Sequence, residues 1–206
     1  MLHEEPASDA MADFDAAYSR TAAIEGGYVH HPRDRGGETY RGISRRRHPH
    51  WSGWRAVDAA KPEADFPAVL ERSRRLARAV KHFYRVNYWD RFRGDQIPDQ
   101  SVADELFDTA VNMGVATAVR FLQRSLNLLN RDEKNYTDIV VDGVCGEQTL
   151  TTLATLLALD RKPGNLLCLM NVLQGARYVD LVRRHPDQEE FIRGWLKRLS
   201  TKSGLA

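Results

Sequence analysis

Cysteine is scarce in this chain, with two copies among 206 residues. Cys145 and Cys168 stand far apart, and neither belongs to a Cys-x-x-Cys pair or to a Cys/His cluster. This spacing argues against a zinc site. We expect two buried free thiols rather than a disulfide, as is usual for a protein of a reducing compartment.

A long uninterrupted hydrophobic run is also missing. The longest apolar stretch, residues 153–173, is broken by Asp160-Arg161-Lys162-Pro163-Gly164. It therefore predicts two buried helices rather than a membrane span. Residues 1–13 are acidic and lack the apolar core of a signal peptide. We expect synthesis in the cytoplasm and no stable insertion into a membrane.

An excess of either charge is absent as well. The 30 basic and 28 acidic residues leave a net charge of +2, and the basic ones are scattered without a recognition motif. A nucleic-acid partner is therefore disfavoured. The hydrophobic share of 42% is ordinary for a soluble globular protein. The length fits one domain, or two small ones that share a core.

Strand-forming segments are few, and helical spacing of apolar residues dominates. Residues 28–43 are typical of an irregular loop or a small β-hairpin, and residues 48–67 of a loop. Ser101 is the expected N-cap of a long third helix that is kinked near Gly114. The fold class is therefore mainly α, with helices predicted over about 11–25, 68–89, 101–130, 148–159, 165–184 and 188–199.

The glycine-rich segment 25–43 carries the clearest chemical pattern. Glu25 ends the first predicted helix, Asp34 follows nine residues later in a turn, and Thr39 five residues after that. The negative end of the helix dipole, and packing beside Tyr28, raise the pKa of Glu25 and favour a general acid. Asp34 stays ionised in water, and the Thr39 hydroxyl can hold a water molecule. These groups suit glycosidic hydrolysis, although each alone also fits a solvated helix end or a turn former.

Further motifs extend this pattern along the chain. Glu25-Gly26-Gly27-Tyr28, then Asp34-x-Gly36-Gly37-x-Thr39 and Gly42-Ile43, resemble glycoside hydrolase family 108, a family of N-acetylmuramidases also called TtsA-like or secretion-activator proteins. Residues 83–90 and 94–97 look like the end of that family's first segment. Residues 107–114 and the turn Asp142-Gly143-x-x-Gly146-x-x-Thr149 resemble its companion, a predicted peptidoglycan-binding segment. The resemblance covers about residues 14–182.

The resemblance implies a lysozyme-like helical fold with a small β-hairpin or irregular active-site loop after the first helix. It makes Glu25 the catalytic acid and gives Asp34 and Thr39 supporting roles. No metal and no organic cofactor are implied. Arg41 departs from the family pattern, which places an aromatic or amide side chain there. The implied substrate-binding positions are Tyr28, Gly37, Tyr40, Tyr88, Trp89 and Asn112.

For three sets of residues the sequence allows both a substrate-binding and a structural role. Trp51 and Trp54, in the loop 48–61, fit sugar stacking and structural packing equally well. Tyr88 and Trp89 also fit a core. Asn112 lies among apolar neighbours, and a buried asparagine needs a hydrogen-bond partner, which is either the backbone or the substrate.

The same resemblance sets the expected organisation. Residues 12–97 form the catalytic segment, residues 98–185 the predicted peptidoglycan-binding segment, and residues 186–206 a C-terminal helix and tail. We expect one compact structural unit, because the first segment alone has too few helices to bury a core. The protein is expected to be a monomer.

The implied activity is cleavage of the β-1,4 bond between N-acetylmuramic acid and N-acetylglucosamine in peptidoglycan, either as a phage endolysin or as a secretion-associated muramidase. Release to the cell wall then depends on a holin or a secretion apparatus. The alternative is a catalytically silent peptidoglycan-binding module.

Overall fold

The computed structural model describes residues 11–22, 26–30 and 37–203. It divides into two compact units. Residues Phe14–Asp90 form one, called here the hairpin unit. Residues Met1–Asp13 and Arg91–Ala206 form the other, called the bundle unit.

The hairpin unit places a small sheet directly after its first helix. Strands β1 (Tyr28–Val29), β2 (Thr39–Tyr40) and β3 (Ile43–Ser44) pair antiparallel in the order β1-β2-β3. Helices surround them in sequence: α1 (Phe14–Ala22), α2 (Trp54–Ala60), a 3-10 helix (Ala68–Arg72), α3 (Arg74–Tyr84) and a π-helical turn (Arg85–Trp89). The core of the unit is rich in aromatic and branched side chains, among them Phe14, Ile43, Trp54, Val57, Leu76, Val80, Phe83 and Trp89.

Among the described residues of the bundle unit, the regular elements are all helical. Short 3-10 helices (Asp90–Phe92, at the boundary, and Gly94–Gln96) precede α4 (Gln100–Met113) and α5 (Val115–Leu129). After a loop come α6 (Glu147–Asp160), α7 (Gly164–Arg184), a 3-10 helix (Pro186–Gln188) and α8 (Glu189–Ser203). Fully buried side chains line the facing helices: Val102, Leu106, Phe107, Leu122, Leu126, Leu153 and Met170.

This architecture confirms the mainly α class with a small antiparallel sheet after the first helix. One helix was missed, since α2 lies in the segment 48–67 that the sequence predicted as loop. Its buried residues Trp54, Val57 and Ala60 recur every third position over only seven residues. A run this short shows too little periodicity to be distinguished from loop.

Two predicted helices are broken in the structure. The span 68–89 contains three pieces, because Ser73 is extended and its hydroxyl accepts a hydrogen bond from Leu76 N, which starts α3 afresh. The span 101–130 is two helices, because Gly114 has φ +89° and ψ +148°. Glycine adopts such angles without steric cost, and this one ends α4 and begins α5.

Two local predictions are corrected. Asp99, not Ser101, caps α4: its carboxylate accepts from Val102 N at 3.0 Å, and the Ser101 hydroxyl donates to the same carboxylate. Cys145 is buried as predicted, but Cys168 is exposed. Burial raises the pKa of the Cys145 thiol to about 11, so this thiol stays protonated at neutral pH.

Within the part of the chain that the structure describes, no helix has the length and apolarity needed to cross a membrane. The same residues contain no group of three or more His, Cys, Asp or Glu side chains placed to hold a metal ion.

Candidate active site

The predicted catalytic segment is built on the β1–β2 hairpin. Val29 pairs with Thr39 and Tyr28 with Tyr40, so these short strands hold the two ends of the intervening loop together. Glu25, which precedes β1 in the sequence, and Asp34, whose position falls between β1 and β2, lie outside the described residues. The structure therefore gives the positions of the residues that surround these two carboxyl groups in the sequence, and those residues are described below.

The hairpin separates the predicted side chains between its two faces. Cross-strand partners share a face, and neighbours along a strand alternate. Thr39 thus shares a face with Val29, whose side chain is about half exposed. Tyr28 and Tyr40 lie on the opposite face, and the Tyr40 side chain is buried. The Thr39 hydroxyl is half-buried and has a long 3.5 Å contact with Gly37 O, which leaves it available to hold water.

Beside Thr39, the buried carboxylate of Glu38 gathers three partners. Tyr28 donates its phenol hydrogen bond to Glu38 at 2.9 Å, Lys61 Nζ lies 2.9 Å from the same oxygen, and Arg45 Nε approaches the other oxygen. Sequence reasoning passed over Glu38. The alternation of strand faces was the available signal, because residue 38 precedes β2 on the same side as the buried Tyr40.

The network continues to helix α2 through Asp58. Its carboxylate receives two hydrogen bonds from Arg45, at 2.6 and 3.0 Å, and one from Lys61 at 2.9 Å. These bonds lower the pKa of Asp58 to about 2. For Glu38, burial alone would raise the pKa, but the bonds from Lys61 and Tyr28 and the charge of Arg45 leave it lowered. The Glu38 and Asp58 carboxylates are therefore ionised at neutral pH, and their ion pairs connect α2 to the hairpin.

The second turn of the sheet also anchors the backbone that follows Glu25. Arg41 and Gly42 have φ of +43° and +76° between paired Tyr40 and Ile43, which is the two-residue turn favoured in hairpins. Arg41 N donates to Gly27 O at 3.1 Å, and its guanidinium pairs with Glu71. The residue that departs from the family pattern is therefore a structural anchor next to the Gly26-Gly27 pair.

Trp51 and Trp54 pack against neighbouring side chains and do not project into solvent. Trp54 is buried and donates from its indole to His48 O at 2.8 Å, while Arg45 lies over its ring at 4.4 Å. Trp51 meets Trp54 edge-on with ring centroids 5.1 Å apart. A Cβ at Gly53 would lie 2.2 Å from the Trp51 ring. These contacts favour the packing alternative for both side chains.

Burial also corrects part of the predicted substrate surface. Tyr40 is 1% exposed and Trp89 is fully buried against Phe14, with ring centroids 5.6 Å apart. Neither offers surface to a sugar, so both are packing residues. Tyr88 is half-buried and stacks on Tyr84 at 5.5 Å, which leaves part of its ring accessible.

Asn112 belongs to the bundle unit, near the end of α4. The sequence predicted a buried amide, but the residue is exposed, and its side-chain nitrogen donates to the Tyr178 hydroxyl. The hydrogen-bond partner is thus a side chain of α7 in the same unit. The Asn112 carbonyl oxygen lies on an exposed residue.

Two family models match this chain in succession. Residues 18–114 match the model described as Glycosyl hydrolase 108, and residues 117–200 match that of a Predicted Peptidoglycan domain. The protein thus joins a glycoside hydrolase segment to a peptidoglycan segment. Over residues 18–114 it is similar to the glycosyl hydrolase 108 family, the family that its motifs predicted. Together the two matches identify a hydrolase that acts on peptidoglycan.

A solved structure supports the fold. The chain is similar to the structure of Brucella abortus SagA, with 24% sequence identity, a TM-score of 0.58, and coverage of 93% of this chain and 91% of that one. No curated protein matches the chain.

Proposed function

We propose that the protein is an N-acetylmuramidase that cleaves the β-1,4 bond between N-acetylmuramic acid and N-acetylglucosamine. The observation that carries this proposal is the Glu-Gly-Gly-Tyr and Asp-x-Gly-Gly-x-Thr motif pair, within a segment that matches glycosyl hydrolase 108. Glycosidic hydrolysis requires two carboxyl groups with separate roles, and this segment supplies them.

In the proposed mechanism, Glu25 protonates the leaving glycosidic oxygen. Asp34 orients a water held by the Thr39 hydroxyl and accepts a proton from it as the water attacks the anomeric carbon. This arrangement corresponds to inversion, for which the carboxyl groups stand about 6.5–9.5 Å apart. The half-buried Thr39, on the face it shares with exposed Val29, supports its role.

The substrate contacts that we retain are Tyr28, Gly37 and Tyr88. Asn112 stays a separate candidate contact within the bundle unit. The biological setting that we propose is lysis or local opening of the cell wall, by a phage endolysin or a secretion-associated muramidase. A holin or a secretion apparatus would then provide access to the wall.

Glu25→Gln tests the assignment, because the amide keeps the shape of the side chain and removes its transferable proton. We expect hydrolysis of purified peptidoglycan to fall by at least about a hundredfold, the usual contribution of general acid catalysis. Product analysis should show new reducing ends at N-acetylmuramic acid in the wild-type digest.

The matched control is Glu71→Gln, the same chemical change at the carboxylate that pairs with Arg41. Thermal unfolding of both variants separates loss of chemistry from loss of fold. More than about a tenth of wild-type activity in Glu25→Gln would remove this residue as the acid. A wild-type enzyme that binds peptidoglycan but releases no reducing ends would establish a silent binding module instead.

A further inference from the structure

The hairpin unit contains a cavity of about 460 Å³ on the side of helix α2. One wall is α2 and the other is the 3-10 helix with the first turns of α3. Its volume lies in the range of about 300–1,000 Å³ that is typical of ligand pockets. Thr39, the proposed catalytic residue that the structure describes, does not line it.

The floor of the cavity is apolar. Ala56 and Ala60 line it from α2, and Leu70 and Leu76 from the opposite wall. Both leucines are buried, with exposed fractions of 2% and 0%. The methyl-sized side chains on α2 leave the space that longer residues would fill, and that space suits small apolar groups.

The rim of the cavity is cationic. Arg55 stands on α2, and Arg72 and Arg75 stand on the opposite wall. Arg72 pairs with Asp65. Arg55 and Arg75 form no ion pair with any residue that the structure describes, and both are exposed. Two guanidinium groups therefore line the same cavity, one from α2 and one from α3, and each is able to bind a carboxylate bidentately.

One acid completes the rim. Glu63 lines the cavity as well, so the surface offers two uncommitted cations and one anion. This combination suits a ligand that carries several carboxylates and an amine. A bare phosphate would leave the apolar floor uncovered and would face the repulsion of Glu63.

The elements that form the cavity walls also contact the hairpin of the candidate active site. Leu70 O accepts the hydrogen bond of the Tyr40 hydroxyl at 3.4 Å, and the next residue, Glu71, pairs with Arg41. On the other wall, Asp58 binds Arg45 in the turn after β3. A ligand in the cavity would thus lie against the elements that support the hairpin.

We propose that this cavity binds a short acidic peptide, the peptide stem that peptidoglycan carries on its muramic acid. The Arg55 and Arg75 guanidinium groups bind the carboxylates of the peptide. The Glu63 carboxylate accepts hydrogen bonds from its amine, and the alanine methyl groups of the stem pack against the apolar floor. This inference rests on the proposed function for the identity of the ligand. It makes the enzyme selective for peptide-substituted glycan.

The test compares Arg55→Ala/Arg75→Ala with the wild type on two substrates: intact peptidoglycan, and glycan strands from which an amidase has removed the peptides. On intact peptidoglycan we expect KM to rise by at least about tenfold, since the loss of even one charge-assisted hydrogen bond has that effect. On peptide-free strands the two enzymes should have the same KM. Arg78→Ala, on the same helix but outside the cavity, is the matched control and should match the wild type on both.

Calorimetric titration with a synthetic alanine–glutamate–diamino acid–alanine peptide makes the result independent of catalysis. The wild type and Glu25→Gln should bind it, and the double arginine variant should bind at least about tenfold more weakly. Equal KM effects on both substrates, no effect on either, or tighter binding of inorganic phosphate than of the peptide would overturn the inference. Peptide binding by a wild-type protein that cuts no glycan would instead overturn the muramidase assignment and leave the peptide site standing.

Discussion

The single side chain of Gln123 holds together the Asp142-Gly143 turn of the bundle unit. Its amide nitrogen donates to Asp142 Oδ1 at 2.8 Å and to Val144 O at 3.1 Å, and its carbonyl accepts from Gly143 N at 2.9 Å. Gln123 is 1% exposed, so these bonds replace water that the buried amide has lost. The Asp142-Gly143 motif, which resembled the predicted peptidoglycan-binding segment, is thus a structural turn, and an Asp-Gly dipeptide favours a turn.

Gly143→Ala should destabilise the protein. Gly143 has φ +85°, and a Cβ there would lie 2.8 Å from Ala116 O. We expect the free energy of unfolding to fall by about 1–3 kcal/mol, the usual cost of a sparsely populated backbone conformation. Urea denaturation measures the loss. Gly164→Ala, where a Cβ meets nothing within 4 Å, is the control, and an equal loss in both variants would contradict the steric argument.

Thr39→Ala tests the hydroxyl of the candidate site. Because a group that positions water contributes less than the proton donor, we expect kcat to fall by less than the roughly hundredfold cost of losing a general acid. Thr39→Ser keeps the hydroxyl and should retain most of the rate. Steady-state kinetics on peptidoglycan gives the comparison. An alanine variant with unchanged kcat would exclude the hydroxyl from the mechanism.

At the scale of elements, the ion network of Glu38, Arg45, Asp58 and Lys61 joins α2 to the hairpin. The sequence could not predict this link, since α2 itself was too short to recognise and its partners lie up to 23 positions away in the chain. Local patterns performed better. Gly114 marked the interruption of the long helix, because glycine tolerates a positive φ that other residues rarely adopt.

Asp58→Asn should remove a pH-dependent part of the stability. The pKa of Asp58 is lowered from 3.8 to about 2, so its contribution is complete above 3.8 and disappears as the pH falls to about 2. The variant should therefore be less stable than the wild type at neutral pH, and the difference should shrink as the pH falls through about 2. The effect will be modest, since the carboxylate is 47% exposed.

Urea denaturation over this pH range measures the difference between the two proteins. Glu190→Gln, an exposed acid in the first turn of α8, removes the same charge without touching the network. A difference between wild type and Asp58→Asn that stays constant down to pH 2 would show that the carboxylate's charge does not stabilise the fold.

For the whole molecule, the two units do not coincide with the segments that the sequence predicted. The bundle unit includes both Asp13 and Arg91, so the chain leaves it and returns. Within that unit, Ala12 N donates to Ile97 O at 2.9 Å, and Gln100 bonds both backbone groups of Asp13 at 2.7 and 3.1 Å. Contacts between residues 87 positions apart leave no local signal, which is why the boundary was placed at 97 rather than 90.

The prediction that both segments fold together can be tested with two fragments. Residues 1–98 retain Ile97 but lose Gln100 and every helix from α4 onward, so the buried Phe92 and Ile97 lose the helices of their own unit. Residues 14–90 isolate the hairpin unit, whose size allows about 60% of the unfolded surface to be buried. We expect neither fragment to unfold cooperatively, as monitored by circular dichroism on heating, whereas the full chain does. A soluble 14–90 fragment with a cooperative transition and muramidase activity would show that the bundle unit is dispensable for both folding and chemistry, and would leave peptidoglycan binding as its separate role.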